Sequence, residues 1–130
     1  SRDGLYAPVD LEYMIGDFYQ LVAEWLAANG LAYDAEPEAA DWDCEDFTQT
    51  FVLLANITHR HEQRLSGQFW ANSRAVWECW IDELQHALAI VLRRDDQGRI
   101  VHHFIETQPR TYRTVRTLTA EQIASISLIR

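Results

Sequence analysis

Residues 44–62 read CEDFTQTFVLLANITHRHE, and whether they make one element or two decides how the rest of the chain is arranged. Phe47, Phe51, Leu54 and Ala55 recur at helical steps, and Asp43 or Asp46 can cap a helix that begins here. From Phe51 onward the same residues also read as an extended run. Phe51 to Leu54 is continuously apolar, and the NITHRH that follows carries β-branched residues suited to a pleated surface. The expectation is a helix to about Ala55, then a strand from Asn56 to Glu62. Side chains alternate on a strand, so His59 and His61 would share one face and Glu62 the other.

On the N-terminal side, PVDLEYMIGDFYQLVAEWLAANG (residues 8–30) is the clearest helix. Asp10 can cap it, and Leu11, Met14, Ile15, Phe18, Leu21, Val22, Trp25 and Leu26 form its stripe. Gly16 interrupts the pattern, and Asn29-Gly30 supplies the stop. An acidic connector containing Pro37 follows (residues 31–43). On the C-terminal side, ANSRAVWECWIDELQHAL (residues 71–88) also predicts a helix. Asn72 or Ser73 would cap it, with Val76, Trp77, Trp80, Ile81 and Leu84 along one face. The remainder predicts antiparallel sheet. ALAIVLRRDDQGRIVHHFIET (residues 87–107) is two apolar runs joined by Asp-Asp-Gln-Gly, a hairpin turning at Gly98. TYRTVRTL (residues 111–118) and IASISLIR (residues 123–130) add two strands, with TAEQ as a turn between them. The fold class is therefore α+β: N-terminal helices packed on a curved antiparallel sheet, with residues 1–130 forming a single domain.

Charge is distributed unevenly. All 11 basic residues are arginines, and the net charge is −9. Residues 1–50 hold 12 Asp and Glu against one Arg, whereas residues 51–130 hold 8 against 10. A balance this acidic disfavours nucleic acid and anionic membrane as partners. No apolar run approaches the ~20 residues of a membrane span. The opening SRDGLYAPVD lacks the basic-then-apolar pattern of a secretion signal, and the expected location is cytoplasmic. Cys44 and Cys79 match no zinc spacing and are expected to be buried free thiols.

Two imidazoles on one strand face, His59 and His61, supply half of a metal site. A third ligand would come from His102 or His103, but no motif completes the set, so no metal and no other cofactor is expected. His59 and His61 read instead as a pocket rim or strand surface. Ile100 and Phe104 share the parity of His102, which predicts that His102 points inward, where it serves as an acid–base group or a core histidine. Trp70, Trp77 and Trp80 read as core, or as the wall of a pocket for a flat apolar ligand. Gly-rich phosphate loops, serine-hydrolase elbows and His-Glu-x-x-His are absent from the sequence.

DWDCEDFTQTFVLLANITHRHEQRLSG (residues 41–67) resembles the middle of the SnoaL-like, or ketosteroid-isomerase-like, cone-fold superfamily. The matching pieces are Asp41-Trp42-Asp43 with Phe47 and Phe51, the short NITHRHE, Leu65-Ser66-Gly67 and the helix after Ala71. DDQGRIVHHFIE is similar to that family's hairpin. The resemblance implies a curved sheet around a helix, enclosing an apolar pocket for a small apolar ligand, often in a homodimer. Isomerases, cyclases, dehydratases, epoxide hydrolases and non-catalytic binders share this fold, so fold alone chooses no activity. Proton transfer in a dry pocket, as in an isomerase or lyase, is the chemistry it suggests. The candidate residues are His59, His61 and His102, with Asp43 and Tyr112 behind them. The alternative is a non-enzymatic acidic binding protein of immunity or inhibitor type. It would present Asp34, Glu36, Glu38, Asp41, Asp43, Glu45 and Asp46 to a basic protein partner.

Overall fold

Residues 44–66 form one uninterrupted helix. The computed structural model describes residues 6–31, 43–67, 73–108 and 115–130. Along the chain these build β1 (Tyr6–Ala7), α1 (Leu11–Ile15), α2 (Asp17–Ala28), α3 (Cys44–Ser66) and β2 (Ser73–Arg74). Then come β3 (Val76–Ile81), β4 (His86–Arg94), β5 (Ile100–Ile105), β6 (Val115–Arg116), α4 (Ala120–Ala124) and β7 (Ile126–Ile129). A 3-10 turn, Asp82–Leu84, links β3 to β4. The architecture is α+β, with helices on a five-stranded sheet of order β6-β5-β4-β3-β7 whose neighbours are all antiparallel.

The long helix starts at a capping box. Asp43 accepts from the amides of Glu45 and Asp46, and Asp46 accepts from the Asp43 amide. It ends at Gly67, whose φ of 71° lies in the left-handed region that closes helices. Between these ends a buried stripe runs through Phe47, Phe51, Leu54, Ala55, His59 and Gln63 without losing its period. The strand expected over Asn56–Glu62 is therefore absent, because His59 and Gln63 carry the helical stripe onward where apolar side chains give out. Thr58 is accommodated in the usual helical way, its hydroxyl donating to the Leu54 carbonyl at 2.9 Å.

Where a helix was expected over residues 71–88, the described residues 73–88 form strands joined by the 3-10 turn. β3 pairs with β4 in an unbroken register from Val76 opposite Val91 to Ile81 opposite His86. Both faces of β3 are covered. Val76 joins Ala89, Val91 and Ile105 against Met14, Phe18, Val22, Leu26, Phe47, Phe51 and Leu54 of the helices. Cys79 and Ile81 join Leu88, Phe104 and Leu118 in a smaller cluster on the other face. A strand buried on two sides loses its polar alternation, and its apolar residues then imitate helical spacing. Trp77 and Trp80, expected on one helix face, lie on opposite faces of the strand. Trp77 packs against Tyr6, with ring centroids 5.0 Å apart.

Other expectations hold with adjusted limits. The N-terminal helix is present but broken at Gly16, where φ is −107° and ψ is −104°. The β4–β5 hairpin turns at Gly98, φ 77°, and the Asp95 carboxylate accepts from the Gln97 and Arg99 amides. Of the strand expected over residues 111–118, Val115–Arg116 forms β6 and residues 111–114 lie outside the described residues. TAEQ opens α4 rather than a simple turn, and the last strand is confined to Ile126–Ile129.

Candidate functional site

Residues 7–10 form one wall of a cleft. β1 runs parallel to β2, and the Val9 amide donates to the Leu92 carbonyl of β4 at 2.8 Å. This pins residues 7–10 beside the C-terminal half of α3. The cleft between them has a volume of about 340 Å³, within the range of small-molecule sites. Ala7, Pro8, Val9, Tyr13 and Met14 supply its apolar wall. From the opposite side come His59, Glu62, Gln63 and Ser66, and Arg74 completes the lining. Residues 59, 62, 63 and 66 lie on one side of a helix by their spacing. Continuity of α3 is thus what brings His59 and Glu62 into the same wall.

Arg74 is the most constrained group in the cleft. Its side chain is 9% exposed, and one terminal nitrogen donates to Glu62 Oε2 at 2.7 Å. The other donates to the Thr58 hydroxyl at 3.1 Å. The guanidinium carbon sits 5.1 Å from the centre of the Tyr13 ring and 6.0 Å from that of Phe18. Glu62 by contrast is about half exposed, so the pair has one dry and one wet member. Asp10, at the mouth, caps α1 by accepting from the Glu12 and Tyr13 amides. The arrangement sets a fixed guanidinium, a buried imidazole and a carboxylate around an apolar hollow. Arginine can orient an anionic or carbonyl oxygen, and histidine can carry a proton at neutral pH.

The expected candidates are dispersed. His59 is 5% exposed and lines the cleft. His61, two positions on in a helix, points elsewhere and is exposed, so the expected shared face does not exist. His102 is exposed rather than inward. It touches Phe104 edge-on at 5.4 Å on the sheet face whose cover stops short of it. His103, whose strand partner Val91 belongs to the main core, is half-buried on the helix side and accepts from Arg93 Nε at 2.8 Å. Asp43 is the cap of α3 and does not line this cleft. Tyr112 lies outside the described residues, as do Trp70 and the acidic Asp34, Glu36, Glu38 and Asp41. Asp43 and Asp46 of that acidic set are engaged in the capping box. No group of three or more His, Cys, Asp or Glu suited to a metal ion occurs among the described residues.

A second polar node was invisible in the sequence. Glu106 is 2% exposed, and both of its oxygens lie within reach of His86 Nε2, at 2.7 and 3.0 Å. The Gln108 amide donates to it at 3.1 Å and Arg116 at 3.3 Å. Burial by itself would push this carboxyl up. The hydrogen bond and charge of His86, with the Gln108 amide and Arg116, outweigh burial and hold it below the ordinary value. Every contact at Glu106 is satisfied inside the protein, and the node reads as a structural clamp between the start of β4, the end of β5 and β6.

No signal in the sequence marked Arg74, which sits inside the stretch expected to be helical. Glu62 was assigned to the face away from His59 because a strand was expected there. Among the described residues, no helix is long and apolar enough to cross a membrane. No protein-family model, curated protein or solved structure matches the chain. Of the pieces that carried the SnoaL-like resemblance, NITHRHE belongs to a helix and Ser73–Arg74 and Val76–Ile81 are strand, whereas the helix start at Asp43 with Phe47 and Phe51 and the hairpin at Gly98 take their expected forms.

Proposed function

We propose that this protein binds a small molecule with an apolar body and one oxygen function in the cleft between β1–α1 and α3. Arg74 orients the oxygen, and His59 is the group that exchanges a proton with the ligand. The observation that supports this is the convergence of a buried arginine and a buried histidine on one apolar-walled hollow of about 340 Å³. In such a hollow a hydrogen bond from a guanidinium gains strength, because water competes for it less than at an open surface. If the site turns over its ligand, the reaction class it suits is proton transfer beside a carbonyl, as in an isomerase or lyase.

The test is native mass spectrometry on protein purified gently from its own host, followed by the same measurement on Arg74→Met and His59→Asn. The expected result is a non-covalent adduct of small-molecule mass on the parent protein. Arg74→Met should lose it, whereas His59→Asn should retain it but fail to convert it. An adduct held equally by Arg74→Met would place the ligand elsewhere and sink the proposal.

A further inference from the structure

The outward face of α3 is complementary to itself, and we infer that it is the contact surface for a second copy of this chain. At 100° per residue, Asp46, Gln49, Leu53, Ile57, Arg60 and Arg64 fall within one narrow strip of the helix. This strip lies away from the buried stripe of Phe47, Phe51, Leu54 and Ala55, and away from the side of the helix that lines the cleft. Two large apolar residues are displayed at its centre, Leu53 at 58% and Ile57 at 52% exposure. Its N-terminal end is acidic and its C-terminal end basic.

The spacing within the strip makes the case. The midpoint between Leu53 and Ile57 is residue 55, and the midpoint between Asp46 and Arg64 is the same residue. A two-fold axis through that point, with the helices antiparallel, sets Leu53 on Ile57 of the second copy. The same axis sets Asp46 on Arg64 at each end, and each contact occurs twice, as a two-fold interface requires. A parallel arrangement would oppose like charges at both ends. The crossing angle is also restricted. Asp46 and Arg64 lie about 13 Å either side of the axis at ~1.5 Å per residue. A crossing near −50° would carry those ends about 11 Å apart, whereas one near +20° separates them by only about 5 Å. The shallow packing is therefore the one the charges select.

The strip is about 27 Å long on a helix roughly 10–12 Å wide. It offers a few hundred Å² per copy, less than the ~800 Å² per partner of a standard stable interface. The dimer is accordingly a concentration-dependent one, with a dissociation constant in the micromolar range or weaker. Arg64 is exposed and Asp46 half-buried, with one of its carboxylate oxygens accepting from the Asp43 amide, so the end pairs are solvent-accessible on the arginine side and added salt weakens them.

Sedimentation velocity over a concentration series tests this with the parent chain and two variants at exposed positions, Leu53→Lys and Ile57→Glu. The expected result is a monomer–dimer equilibrium for the parent and at least about a tenfold weaker one for each variant alone. Mixing the two variants should restore association. The ammonium introduced in one copy then meets the carboxylate introduced in the other, while the unchanged Ile57 of the first meets the unchanged Leu53 of the second. Three results would overturn the inference: a parent chain that stays monomeric to millimolar concentration, variants that associate as the parent does, or a mixture no tighter than its components.

Discussion

Glu106 and His103 show how single titrating groups tie this fold to pH. Glu106 is held below its ordinary value of 4.5, chiefly against burial, by His86, the Gln108 amide and Arg116. A carboxyl depressed in the folded state stabilises it above the ordinary value, and that stabilisation is lost as pH falls through the folded value. His103 is likewise depressed from 6.5, by burial first and then by the charges of Arg93 and His102. Its neutral form is the one that accepts the Arg93 hydrogen bond, so stability falls as pH drops below about 6.5, where the unfolded chain takes up the proton more readily. Urea denaturation should therefore show two acid-side losses, one near neutral pH and one in the carboxylate range. His103→Gln should abolish the first. Glu106→Gln should shrink the second, leaving the part owed to Asp95, while costing about 2–3 kcal/mol at pH 7, since it strands the partly buried His86. A single acid transition unaffected by either variant would contradict this. Cys79, by contrast, is pushed up to about 11 mainly by burial, and its thiol stays protonated at neutral pH.

Helix and strand identity was only partly readable from local pattern. The period of α3 is present in the sequence from Phe47 to Gln63, but its last third is written in polar residues, His59 and Gln63, which face the cleft rather than the core. β3 presents the reverse difficulty, since Val76, Cys79 and Ile81 are buried on alternate sides and their union looks helical. The pattern over residues 8–30 read as one helix interrupted at Gly16, and the structure divides it there into α1 and α2. A Cβ there would sit 2.8 Å from the Glu12 carbonyl oxygen, backbone that cannot move aside cheaply. Gly16→Ala, ordinarily a stabilising change within helical sequence, should here cost on the order of 1–2 kcal/mol. Thermal denaturation decides it, and a raised midpoint would show that the helix pair can straighten.

At the scale of the molecule, α2 and α3 meet over the sheet residues Val76, Ala89, Val91 and Ile105, with Phe51 at the centre, touched by Phe18 and by Tyr19 at 6.1 Å. Phe18 and Phe51 are fully buried and meet edge to face at 5.0 Å. Phe51→Ala should cost about 3–5 kcal/mol, a large part of the roughly 5–15 kcal/mol total typical of a domain. Chemical denaturation should show a lowered midpoint with an unchanged slope. A loss below about 1 kcal/mol would mean that the helices reach the sheet by other contacts. The same packing positions the cleft, because it fixes α3 against β2 and so places His59 and Glu62 opposite residues 7–10. Of the cleft's lining only His59 stood among the candidates read from the chain, since the rest comes together from positions 7–14, 62–66 and 74.

The α+β content, the amphipathic N-terminal helical segment, the hairpin at Asp95–Gly98 and the caps at Asp10 and Asp43 were legible in the sequence. All of these depend on neighbours within a few residues, so the local pattern contains them. What local pattern left open is that residues 56–62 are helix, that residues 76–81 are strand, and that His59 rather than His61 or His102 lines this cleft. Those outcomes depend on which faces of an element are covered, and cover comes from segments distant in the chain. An apolar residue states that it will be buried, but not against what, and in this protein the missing partner settles both fold and site.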